Sequence, residues 1–160
     1  MKKLFLIIAA FVMTLTANAQ FEQSKIYASG DLTGLVANYQ GDNFNLGIQA
    51  KGGYFVMDNI LAYAQMGYNN NGKDDDSYSV GVGGRYYIIQ NGIFLGANGK
   101  LVHDKYRNDI MPGVEVGYAF FLSRTVTVEP SIYYEHSFLN NSKYSDFGLR
   151  IGAGIYLFTK

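Results

Sequence analysis

Eight successive segments of this chain alternate apolar with small or polar residues at a period of two, and that alternation restricts the fold more than any motif does. In the stretch 147–157 one face carries Phe147, Leu149, Ile151, Ala153, Ile155 and Leu157; the other carries Gly148, Arg150, Gly152, Gly154 and Tyr156. Side chains of an extended strand point alternately to its two faces, so the segment has one greasy side and one small or polar side. The same reading places strands over 25–34, 43–55, 60–69, 77–89, 93–103, 111–122, 125–136 and 145–158. The connections alternate in character too. Those at 56–59, 90–92 and 123–124 are tight turns, and Asn91-Gly92 is a hairpin signal. Those at 35–42, 70–76, 104–110 and 137–144 are longer and more polar. Such a chain is expected to be all-β, closing into an eight-stranded antiparallel up-and-down barrel.

The first residues read differently. Lys2 and Lys3 precede an apolar run over 4–15, and Ala17-Asn18-Ala19 supplies the small-x-small pattern of a cleavage site. The run is shorter than the ~20 residues that span hydrocarbon. The expectation is a cleaved signal peptide over 1–19 and one barrel domain over 20–160, with the protein exported. The chain has no cysteine, which excludes disulfides, thiol-ligated metals and a lipid-anchored N-terminus. Removing Lys2 and Lys3 leaves 11 basic against 13 acidic residues. That near-neutral balance excludes the basic footprint of a nucleic-acid binder.

Period two alone leaves open which face points outward. Glycine decides it. Gly47, Gly53, Gly67, Gly81, Gly83, Gly96, Gly117, Gly148, Gly152 and Gly154 share the polar face. Small residues suit a barrel interior that is only just wide enough for side chains; on a water-facing surface they would merely weaken the strands. The opposite face is a continuous apolar band: Phe44, Leu46, Ile48 and Ala50, then Val114, Val116, Tyr118 and Phe120, then Val126, Val128, Ile132 and Tyr134. Aromatic residues crowd the strand ends. Tyr54, Phe55, Tyr86, Tyr87, Phe94, Phe120 and Phe121 stand at the tight-turn end, and Phe44, Tyr68, Tyr78, Tyr134 and Phe147 at the other. They are expected to form the two girdles of a transmembrane barrel, with lipid outside and polar residues inside.

The inward positions include Asp31, Lys51, Arg85, Lys100, Glu115, Glu129, Glu135 and Arg150, four acids against four bases. Gln49, Gln65 and Asn98 add neutral partners. Ions in a narrow lumen must pair, because desolvation is costly. Balanced signs point to a salt-bridged filling, whereas a selective pore favours one sign.

Other chemistry is weaker. Glu135-His136-Ser137, with His103 and the Asp74-Asp75-Asp76 run elsewhere, supplies the serine, histidine and carboxylate of a lipid-modifying or acyl-transferring enzyme. Neighbours on a strand face opposite ways, however, so His136 and Ser137 meet only if the strand has ended. No catalytic residue, metal or cofactor is assigned. The acidic run Asp74, Asp75 and Asp76 lacks the spaced ligands of a calcium loop and is assigned as an outer-loop interaction segment.

The signal peptide, the eight short strands, the glycine-rich last strand and Tyr156-Leu157-Phe158 near the end together resemble the small outer-membrane barrels of the OmpA/OmpX type. The segment Gly53–Leu61 is similar to the first inner-side hairpin of such domains. Thr159 and Lys160 follow Phe158, a departure from the usual terminal aromatic. The resemblance implies a monomer in the outer membrane of a Gram-negative cell envelope, in contact with outer-membrane lipid and lipopolysaccharide, and with the barrel-assembly machinery during insertion. It implies a non-enzymatic role in envelope integrity, or in surface interaction through the outer loops. The alternatives are a narrow porin-like pore or transport accessory, a lipid-modifying enzyme, and a soluble ligand-binding barrel.

Overall fold

The computed structural model describes residues 21–33, 46–70, 76–88, 92–105, 107–138 and 145–158. The expected leader, Phe44, Asp74 and Asp75 lie outside them. Among the described residues nine strand segments occur: β1 (Lys25–Thr33), β2 (Leu46–Met57), β3 (Ile60–Asn70), β4 (Asp76–Tyr87), β5 (Ile93–Asp104), β6 (Arg107–Tyr118), β7 (Phe120–Phe121), β8 (Val126–Glu135) and β9 (Asp146–Phe158). Sequence neighbours pair antiparallel, β8 pairs with both β6 and β7, and β9 returns to β1. The result is a closed barrel of eight staves, in which β6 and β7 form one stave interrupted at Ala119. Every stave pairs on both sides, although β6 outruns its ladder with β8 over 107–112.

The alternation settles into the pleat as the residue types demand. Along β9, Phe147, Leu149, Ile151, Ile155 and Leu157 face outward and exposed, while Gly148, Arg150, Gly152, Gly154 and Tyr156 are buried. On β4, Tyr78, Val80, Val82 and Tyr86 are exposed, and Arg85 and Tyr87 are buried. Ten residues at about 3.3 Å each, tilted by roughly 40°, give an apolar band about 25 Å tall.

Three expectations change. The stave read as 111–122 begins four residues earlier, because β5 and β6 pair out to Asp104 opposite Arg107. The connection read as a long loop over 104–110 therefore shrinks to 105–106, at the end where the other connections are longer. The same stave breaks at Ala119, whose N–H donates to the Gly92 carbonyl at 2.7 Å, one step beyond the Ile93–Tyr118 pair that ends the β5–β6 ladder. Register against β8 survives the break, with Gly117 opposite Ser131 and Phe120 opposite Val128.

The third change concerns the aromatic residues at the tight-turn end. Tyr54 and Tyr86 face outward, but Phe55, Tyr87 and Phe94 are fully buried inside the barrel, and Phe121 packs against them half-buried. Tyr54-Phe55 and Tyr86-Tyr87 are adjacent pairs, so strand alternation sends one ring of each pair outward and the other inward. Crowding at a strand end is a property of composition; the side each ring takes is a property of parity.

The tight turns have local causes. Asn59, at φ 63°, takes the left-handed conformation that asparagine tolerates, after a bulge between Phe55 and Met57. Gly92, at φ 76°, does the same before β5. In the β7–β8 turn the Ser123 hydroxyl accepts from the N–H groups of Thr125 and Val126 at 3.3 and 3.1 Å.

Candidate functional site

The lumen is filled by side chains and built in tiers. At the tight-turn end an aromatic layer fills it: Phe55, Tyr87, Phe94 and Tyr156 with Leu61. Phe21 completes this layer from outside the barrel staves. Its ring stacks on Tyr87 at 4.0 Å and meets Phe121 edge-on at 5.5 Å. Backbone bonds hold it there. Asn59 N–H donates to the Phe21 carbonyl at 2.7 Å, and Ser24 N–H donates to the Phe55 carbonyl at 3.0 Å. Gln23 N–H donates to Asp58 Oδ1 at 2.8 Å. The segment before β1 thus lies across this end of the barrel as a stopper.

Above that layer lie the eight charged residues singled out from the sequence, and they form one connected network. Glu115, on β6, is its hub. Its carboxylate accepts from Arg85 Nε at 2.6 Å, from Arg150 Nη1 at 2.9 Å and from Lys51 Nζ at 3.5 Å. Lys51 also pairs with Asp31 at 2.9 Å. Arg85 Nη1 reaches Glu129 at 2.7 Å. Arg150 Nη2 reaches Glu135 at 3.4 Å, and Lys100 pairs with that same carboxylate at 2.5 Å. All eight are buried. Desolvating each ion costs on the order of several kcal/mol, and the multiple charge-assisted bonds offset that cost.

Tyrosine hydroxyls complete what the charges leave unfilled. Glu129 accepts from Tyr27 at 2.6 Å, from Thr127 at 2.8 Å and from Tyr156 at 2.8 Å. The Tyr27 hydroxyl in turn accepts from Arg85 Nη1 at 2.8 Å. The Arg85 guanidinium lies 4.2 Å from the centroid of the Phe94 ring, and that of Arg150 lies 4.3 Å from Tyr133. Sequence reasoning missed these aromatic partners, although Tyr27 and Tyr156 share the parity of the lumen charges. It also missed Asp109, a buried acid bonded to the Ser137 hydroxyl. Asp109 shares parity with Glu115 once β6 is known to start at Arg107.

Glycines make the room. A Cβ on Gly96 would stand 2.6 Å from Glu115 Cγ, and one on Gly154 would stand 2.6 Å from Glu129 Oε1. Outward-facing Gly52 has nothing within 4 Å of such a carbon. We therefore expect Gly96→Ala to lower stability by about 1–3 kcal/mol through overpacking. Gly52→Ala should be neutral or stabilising by about 0.4–1 kcal/mol through the unfolded chain. Urea midpoints followed by circular dichroism check the pair; equal shifts would refute the steric reading.

The remaining candidates do not converge. Glu135 and Ser137 face inward, while His136 faces outward, 3.4 Å from the Tyr134 hydroxyl and beside Phe138. Ser137 bonds to Asp109 and not to His136. His103 is exposed on the outer wall and bonds to Asn108 at 2.5 Å. Of the acidic run only Asp76 is described; it is the first residue of β4 and is exposed.

No family model matches this sequence, and no curated protein does. Solved structures do match. The N-terminal β-barrel domain of Pseudomonas aeruginosa OprF aligns over 84% of this chain and 98% of its own, at 10% identity and a TM-score of 0.66. The Yersinia pestis outer membrane protein Ail aligns over 85% and 100%, at 17% identity and a TM-score of 0.58. Neisserial surface protein A aligns over 83% and 94%, at 16% identity and a TM-score of 0.51. Together with the closed, filled barrel, these matches show that the chain has the fold of the small eight-stranded outer-membrane β-barrels.

Proposed function

We propose that this chain is an integral outer-membrane protein whose barrel is a solid anchor, non-enzymatic and monomeric, with its role in envelope integrity or in surface interaction through the loops at the long-connection end. The observation that carries this reading is the filled lumen. Its balanced charges are joined to one another, and an aromatic layer with Phe21 at its base closes one end. A conducting barrel needs a continuous wet path, and this interior is packed with side chains whose charges are joined into one network. The exposed apolar band of Val80, Val82, Leu95, Val114, Val116 and Ile132 supports contact with outer-membrane lipid and the acyl chains of lipopolysaccharide. The leader-like N-terminus supports export, and the strand architecture supports delivery by the barrel-assembly machinery.

The test is ionic conductance of the refolded protein in a planar bilayer, with insertion confirmed independently. A silent bilayer is expected. Discrete conductance steps that disappear when Glu115 or Arg85 is changed would overturn the anchor reading and make the barrel a narrow pore.

A further inference from the structure

Several buried polar atoms of the lumen, among them those of the Gln65, Asn98 and Ser131 side chains, make no hydrogen bond among the described residues, and two more belong to residues that line one cavity. Arg150 uses Nη1 on Glu115 and Nη2 on Glu135, and its buried Nε–H has no acceptor among the described residues. Gln49, 4% exposed, has its Oε1 buried without a donor. Both side chains line the same small cavity, of about 20 Å³, at the long-connection end of the lumen. Asn69, Ser79, Lys100, Glu135 and Asp146 complete much of its wall.

The cavity's dimensions and charges select its ligand. A buried N–H without an acceptor, or a carbonyl oxygen without a donor, forfeits the hydrogen bond it made to water in the unfolded chain. Native interiors rarely leave such groups unmade. The cavity is partly open toward the long-connection end, and the room between these side chains fits a water molecule. Lys100 and Arg150 stand against Glu135 and Asp146 in the wall, so no net charge favours an ion over a neutral molecule. Buried waters characteristically make two to four hydrogen bonds to groups of this kind.

We propose that this cavity is a binding site for one structural water, which accepts from Arg150 Nε and donates to Gln49 Oε1. Its second hydrogen is left for a carboxylate of the same wall. The water holds the guanidinium edge-on, so that Nη1 and Nη2 remain aimed at Glu115 and Glu135. It is therefore part of the strut that joins the middle of the network to its outer end. This inference depends on the lumen geometry and not on where the barrel resides.

The test is nuclear magnetic resonance of the full isotope-labelled protein, refolded in micelles, reading cross-relaxation between water and the Arg150 Nε–H. A cross-peak with the sign of a long-lived bound water is expected. Absence of that peak in folded protein would overturn the proposal, and so would a peak with the sign of freely exchanging solvent. Gln49→Met gives a second readout. It should abolish the peak and lower the urea midpoint; a raised midpoint would mean a dry orphan had been relieved, and the proposal would fail. Should that variant not fold, the wild-type cross-peak still decides.

Discussion

Glu115→Ala is expected to be the most damaging single change in the lumen, lowering stability by about 3–5 kcal/mol. The carboxylate faces Arg85, Arg150 and Lys51, all buried, so its removal leaves three cations sharing too few acids. The loss comes less from the missing attraction than from charges that remain desolvated without a partner. Glu115→Gln should cost less, because the amide oxygen still accepts from Arg85 while the charge is lost. The chain has no tryptophan, so urea unfolding is best followed by circular dichroism or by the heat-dependent shift in gel mobility. Coincident midpoints for Glu115→Ala and wild type would remove Glu115 from its position as hub.

The second large effect belongs to the outside of the barrel. Val82 is 67% exposed and stands midway along β4 between the outward Tyr78 and Tyr86. Val82→Arg is expected to destabilise the protein folded into lipid vesicles by about 2–4 kcal/mol, because the guanidinium then sits near the bilayer midplane. Ile88→Arg, at the tight-turn end of the same stave, should cost only about 0–1 kcal/mol, since a charge there reaches the interface. A water-facing strand would respond to both changes within about 0.5 kcal/mol. Urea-dependent folding into vesicles separates the cases, and an indifferent Val82→Arg would place that face in water. The two experiments are independent, because one changes the lumen and the other the outer band.

Strand number, strand type and the face taken by most residues are legible in the chain itself. The reason is locality. Alternation is a relation between a residue and its immediate neighbours, so β9 can be read from 147–157 without reference to any other stave. Where sequence reading erred, it left parity for a looser cue. The aromatic residues at the tight-turn end were grouped by position, although Tyr54 and Phe55, or Tyr86 and Tyr87, cannot share a face. The polar composition of 104–110 suggests a loop. Strand pairing with β5 carries it as ladder instead, and that is what turns Asp109 inward.

Which acid meets which base was decided by the tertiary structure. Arg85 and Glu115 are 30 residues apart in sequence, and Tyr27 and Glu129 are 102 apart; no local pattern pairs them. Those contacts form across a closed lumen, whose diameter and stave-to-stave register exist only once β9 has returned to β1. Phe21 is a similar case. It precedes the first strand and carries no periodic signal, yet it completes the aromatic layer because barrel closure brings Phe55, Tyr87, Phe121 and Tyr156 around it. Alternation along the chain determined the barrel and its two faces, because it acts between neighbours; the network and the stopper inside were settled by closure, because they act across it.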